Sequence, residues 1–177
     1  MKDVIRCGGI LCAITLIMGA LLGAVNGVTA PVIEKLSEKS RIEAMAAVTD
    51  GEITSQGDEI TPEGETSVKS VTVLETKNGT AYAVSAAPKG YGGEISMMVG
   101  INADGEVTGV TIMDMSETAG LGANAKKETF LDQFKGKDPK IQALTGATIT
   151  TNAVKKGVSD AKAQVEAIKG AAENERN

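Results

Sequence analysis

Two short segments concentrate the residue types that can hold a ligand. The first is Ser116-Glu117-Thr118-Ala119-Gly120-Leu121-Gly122. Gly120 and Gly122 flank one apolar residue, so a backbone can approach a ligand closely there, and a helix start just beyond adds free N–H groups. The same residues also suit a plain strand-to-helix turn in which glycine supplies positive φ. The second is Thr145-Gly146-Ala147-Thr148-Ile149-Thr150-Thr151, just ahead of a helical stretch. Small residues around Thr148 leave its hydroxyl unobstructed, and a helix N-terminus behind it stabilises a phosphate. The alternative is a threonine-rich strand end running into an N-cap.

The rest of the composition narrows the chemistry. A threonine hydroxyl is a poor nucleophile without a base, and the 177 residues contain no histidine. That removes imidazole bases, Ser-His-Asp and Cys-His triads, and His-ligated zinc or haem. Cys7 and Cys12 are the only cysteines, too few for a Cys₄ cluster or a disulfide framework. No catalytic residue and no metal site are assigned, and redox activity would need a borrowed cofactor. With 18 Lys+Arg against 23 Asp+Glu and a net charge of −5, the chain lacks the basic surface that nucleic acid requires. Two Tyr and two Phe offer little for stacking bases or sugars.

The elements that must position these segments follow from patterning. No charged residue lies between Arg6 and Glu34, and the stretch is dominated by Ile, Leu, Val and Met, which is long enough to cross a bilayer. Lys2 and Arg6 before it place the N-terminus in the cytoplasm and export everything after it. A cleaved signal peptide ending at Val28-Thr29-Ala30 is the rival reading; the apolar run exceeds an ordinary signal core and Pro31 follows the cut. The span holds Thr15, Asn26 and Thr29 but no acid, so any ion path belongs to partner subunits. Residues 34–48 read as a helix continuing from the membrane, and residues 49–66 as a linker or loosely held loop. Beyond lie two hairpins, one around Asn78-Gly79 and one around Asp104-Gly105. Composition turns helical from Ala123, and residues 153–169 form a C-terminal helix capped by Thr150, Thr151 or Asn152. The expectation is an α+β protein: a stub and transmembrane helix over 1–33, a stalk helix and linker over 34–67, and a domain of antiparallel hairpins with flanking helices over 68–177.

From about Val68 to Ile168 the chain resembles the FMN-binding domain of the G subunit of the Rnf electron-transport complex. The C subunit of the sodium-pumping NADH:quinone reductase shares that domain. The matching pieces are Gly90-Tyr91-Gly92-Gly93, the hairpin 95–109, Glu117-Thr118-Ala119-Gly120-Leu121-Gly122, and Thr145-Gly146-Ala147-Thr148-Ile149-Thr150. The last is like a Ser/Thr-Gly-Ala-Thr motif whose final Thr accepts FMN through a phosphoester. The resemblance therefore implies covalent FMN on Thr148, attached by a flavin transferase that splits FAD with Mg²⁺. It implies that Glu117, Thr118, Leu121 and the backbone of Gly120 and Gly122 contact the ring, that Thr145, Gly146 and Thr150 surround the phosphate, and that Ala147 and Ile149 belong to the same cofactor site. Ala119 and Gln142 depart from the family pattern, which often has Pro at the first position and an acid at the second. The implied function is an electron relay within an ion-translocating ferredoxin:NAD⁺ oxidoreductase, in the inner membrane, with lipid and the other Rnf subunits as partners. The alternatives are a stand-alone exported flavoprotein and a redox sensor uncoupled from pumping.

Overall fold

The computed structural model describes residues 2–62, 64, 66–137 and 140–174, with side chains described only within 6–171. The chain forms two compact units, Met1–Ser40 and Arg41–Asn177.

The first unit is the greater part of one continuous helix, α1 (Lys2–Val48), which includes Pro31. It is long and apolar enough to cross a membrane, and its large side chains from Ile10 to Leu36 are exposed. The two hydroxyls of its apolar stretch are satisfied within the helix: Thr15 Oγ1 donates to Cys12 O at 2.9 Å and Thr29 Oγ1 to Val25 O at 2.8 Å. Hydrocarbon demands this, because it offers no other partner.

The second unit is built on a five-stranded antiparallel meander. The strands β1 (Ile53–Ile60), β2 (Val68–Thr76), β3 (Gly79–Ala86), β4 (Ser96–Asn102) and β5 (Val107–Asp114) lie side by side in chain order. Both expected hairpins are present. The first turns on Lys77-Asn78, one residue earlier than Asn78-Gly79 suggests, because Gly79 already pairs with Thr76. Its φ of +120° lets the chain re-enter the ladder straight after the turn. In the second turn Asn102 Oδ1 accepts from Asp104 N (3.0 Å) and Glu106 N (2.9 Å).

Residues 49–66, expected as a linker, contain β1 instead. It pairs with β2 through an irregular register, Ile53 opposite Thr76 and Ile60 opposite Val71. Nearly every residue of Ile-Thr-Ser-Gln-Gly-Asp-Glu-Ile is exposed, so no apolar alternation announces the strand.

Side chains alternate between two cores. On one face Val71, Val84, Met97, Val99, Ile101, Val110 and Ile112 pack under α3 (Thr148–Asn174), with Val154, Val158, Ala161 and Val165 turned inward. The helical stretch expected from Ala123 is broken into three pieces. These are a 3₁₀ turn at Gly122–Lys126, a single turn α2 (Glu128–Leu131) and a second 3₁₀ turn at Asp132–Phe134. Lys127 and Lys135, both extended, end the first and last of these. Phe130 and Phe134 close this core edge to face at 5.4 Å.

On the other face Ala44, Met45 and Val48 from the end of α1 bury Leu74, Ala81, Ala83 and Met98. The helix end approaches so closely because Gly100 and Gly109 are paired across β4 and β5. A Cβ on Gly100 would overlap the Val48 carbonyl, and one on Gly109 would come within 3.0 Å of Val48 Cα. Thr108 Oγ1 donates to that same carbonyl, which as a terminal helix acceptor has no partner inside the helix.

Candidate functional site

The loop after β5 and the start of α3 meet across a cleft of about 590 Å³, within the size range of small-molecule and cofactor sites. Its walls include Glu117, Thr118, Leu121, Gly122, Gly146, Ala147, Thr148, Ile149 and Thr150. The two segments singled out in the sequence, about 30 positions apart, are thus brought together. Gly120 and Thr145 are not part of the lining. Gly120 instead carries the turn into the 3₁₀ helix, with φ +78° and its carbonyl accepting from Asn124 Nδ2 at 2.7 Å.

Burial sorts the threonines of the second segment. Thr151 is fully buried; its Oγ1 donates to Ala147 O (2.9 Å) and accepts from Leu144 N (3.1 Å). Thr150 is also buried and donates to Glu117 Oε2 at 2.6 Å. Thr148 is the exposed first residue of α3 and opens on the cleft. The first intrahelical bond runs from Thr151 N to Ala147 O at 2.9 Å, which makes Ala147 the cap, and alanine has no side-chain acceptor. The N–H groups of Thr148, Ile149 and Thr150 therefore precede the hydrogen-bonded part of the helix and favour an anion beside Thr148.

Glu117 lines the cleft and also ties two loops together. Its Oε1 accepts from Tyr91 N (2.9 Å) and Gly92 N (3.0 Å), while Oε2 takes the Thr150 hydroxyl. Space around it is cleared by glycines. A Cβ on Gly90 would overlap Oε1, one on Gly122 would lie 2.6 Å from Oε2, and one on Gly92 would overlap the Ser116 carbonyl.

The cleft has an apolar rim. Tyr91 (71 % exposed), Ile149 (55 %) and Leu121 (44 %) are three of the few large hydrophobics outside α1 that are left in solvent, and all three line it. Leu121, which could have been an ordinary core residue, is not buried. Sequence reasoning missed Tyr91 as a lining residue; the signal was a lone aromatic inside Gly90-Tyr91-Gly92-Gly93. An apolar rim, an exposed hydroxyl and free helix N–H groups fit a planar ring system that ends in a phosphate. No group of three or more His, Cys, Asp or Glu that could hold a metal ion occurs among the described residues.

Comparisons with known proteins agree with this geometry. Residues 90–163 match the FMN-binding domain family. The chain is 34 % identical to the G subunit of the Na(+)-translocating ferredoxin:NAD(+) oxidoreductase complex of Acetobacterium woodii, over 89 % of each protein. It is 46 % identical to the G subunit of the corresponding proton-translocating complex of Clostridium ljungdahlii, over 51 % of this chain and 56 % of that one. To the G subunit of the ion-translocating oxidoreductase complex of Shewanella baltica it is 31 % identical, over 91 % of this chain and 89 % of that one. The crystal structure of the C subunit of the Na(+)-translocating NADH-quinone reductase from Parabacteroides distasonis has the same fold, with a TM-score of 0.50 at 19 % identity, covering 64 % of this chain and 76 % of that one.

Proposed function

The chain belongs to the G subunits of ion-translocating ferredoxin:NAD⁺ oxidoreductase complexes, and on that premise we propose that it holds FMN covalently on Thr148 and relays electrons through it. The observation that carries the linkage is the position of one hydroxyl. Of the two threonines at the start of α3 that line the cleft, Thr150 is buried and bonded to Glu117, and Thr148 is exposed.

Bound there, FMN supplies electron-carrier chemistry that no side chain of this protein possesses. The chain's own part is to hold and orient it. Thr148 Oγ1 gives up its proton and takes the flavin phosphoryl group from FAD, with AMP leaving. The base and the Mg²⁺ for that transfer come from a flavin transferase, since the chain has no histidine. The free N–H groups of the first turn of α3 receive the phosphate, and Leu121, Ile149 and Tyr91 offer apolar surface to the ring. An ester to phosphate leaves the ring's redox atoms unaltered, so tuning falls to these neighbours.

The exposed apolar length of α1 makes the protein a single-pass membrane protein. Lys2 and Arg6 favour a cytoplasmic N-terminus, which sets the FMN domain on the extracytoplasmic side of the inner membrane. A tether there prevents loss of a cofactor that could not be recovered. Ferredoxin, NAD⁺ and the translocated ion are handled by the other subunits of the complex.

Intact mass spectrometry of the chain coexpressed with a flavin transferase tests the linkage. The native chain should carry one FMN adduct and Thr148→Val none; an unmodified native chain refutes the assignment. Purification in mild detergent tests the setting: multi-span subunits should accompany the protein, and their absence favours the stand-alone shuttle.

A further inference from the structure

Glu117 spends most of its hydrogen-bonding capacity inside the protein. Both carboxylate oxygens are engaged by parts of this chain that are distant in sequence: the amides of Tyr91 and Gly92, and the hydroxyl of Thr150. Gly90 and Gly122, one in each segment around it, leave the room that the carboxylate occupies. The stem of the Gly90–Gly93 loop is closed by Gly90 N donating to Gly93 O at 2.7 Å and Ile95 N donating to Pro88 O at 2.9 Å, which leaves the amides of Tyr91 and Gly92 at the tip to Glu117. What the loop displays is the most exposed large apolar residue of the cleft, Tyr91. An exposed aromatic on a glycine-rich loop would wander if only its own turn held it. Two charge-assisted bonds to adjacent amides fix the backbone at the residue that carries the ring.

We propose that Glu117 is a positioning residue that pins the Gly90–Gly93 loop to the first turn of α3, so that the Tyr91 ring forms one wall over the flavin. The proposal deepens, and in its second half rests on, the reading of the cleft as an FMN site. Glu117 then acts through Tyr91: it sets how much solvent reaches the ring. Gln can replace it, with an amide oxygen for the two N–H groups and an NH₂ donating to the Thr150 hydroxyl. Ala cannot.

Two measurements on the full-length chain in detergent separate the halves. Amide hydrogen exchange of chains carrying Thr148→Val, which hold no covalent flavin, reads the pin alone. Glu117→Ala should speed exchange at Tyr91 and Gly92 by roughly tenfold or more, as expected for losing bonds to a charged acceptor, whereas Glu117→Gln should stay close to the parent. Unchanged exchange in Glu117→Ala overturns the pin. Iodide quenching of flavin fluorescence in loaded chains reads the wall. Tyr91→Ala and Glu117→Ala should each raise quenching several-fold, the double variant no further than Tyr91→Ala alone, and Glu117→Gln should restore the native value. Quenching that ignores Tyr91→Ala, or a double variant that simply adds, overturns the wall. If the native chain takes up no flavin at all, the FMN reading fails, and the exchange measurement still decides the pin. Should Glu117→Ala fold poorly, Thr150→Val breaks the other leg: faster exchange at Tyr91 and Gly92 supports the pin, and unchanged exchange overturns it.

Discussion

Thr145, Thr148, Thr150 and Thr151 lie within seven residues, and the direction of each hydroxyl decides what replacing it does. Thr148→Ser keeps an exposed hydroxyl at the start of α3 and should retain the adduct by mass spectrometry. Thr148→Val should shift urea unfolding of the unloaded chain by no more than about 0.5 kcal/mol, as a surface change does. Thr151→Val leaves the Leu144 amide unpaired and should cost roughly 1–3 kcal/mol in the same measurement. Asp160 gives a pH dependence of known sign. Burial works against its charge, but the Lys156 ammonium (2.6 Å) and the Ser67 hydroxyl (2.6 Å) and amide (3.1 Å) outweigh this and hold the carboxyl below its ordinary value. A depressed folded value means that its stabilisation is complete above the ordinary value of 3.8 and fades as pH falls through the lowered one. Asp160→Asn should therefore flatten the acid limb of stability against pH; an unaltered limb counts against this role. The part of Thr148 in holding FMN came only from the resemblance, while its open setting was legible from Gly146 and Ala147 before it. The inward turn of Thr150 and the outward one of Tyr91 were not, since both depend on contacts with residues about 30 positions away.

The elements show where local pattern carries and where it stops. The hairpins of β2–β3 and β4–β5 were legible because each arm has β-branched residues in near alternation and a glycine stands in or directly after each turn. Strand β1 was not, because it joins the sheet through backbone pairing while nearly all its side chains face water. Its anchor is Arg41, bonded to Glu59 Oε1 at 2.9 Å and to Thr72 Oγ1 at 3.2 Å, a contact across separate elements. Gly100 and Gly109 look like flaws in otherwise good strands, and only the end of α1 lying on them explains both. Gly100→Ala should destabilise the protein by roughly 2 kcal/mol or more, because the obstacle is the Val48 backbone carbonyl rather than a yielding side chain. Gly109→Ala should cost less. Equal and small losses in urea unfolding would mean that the helix end relaxes away freely.

For the whole molecule the membrane helix sets where the flavin can work. On a Cys7→Ser, Cys12→Ser background, Ser159→Cys on the exposed side of α3 should react with a membrane-impermeant maleimide in intact cells. Labelling only after lysis would reverse the proposed orientation. The bare start of α3 has a further consequence. Because Ala147 leaves the first turn without a side-chain acceptor, a chain that has missed its transferase lacks a bond that ester phosphate would supply, worth about 0.5–2 kcal/mol. On the proposed linkage, maturation would double as quality control: unfinished copies would unfold more readily and be cleared first by proteases, leaving the membrane enriched in copies able to carry current.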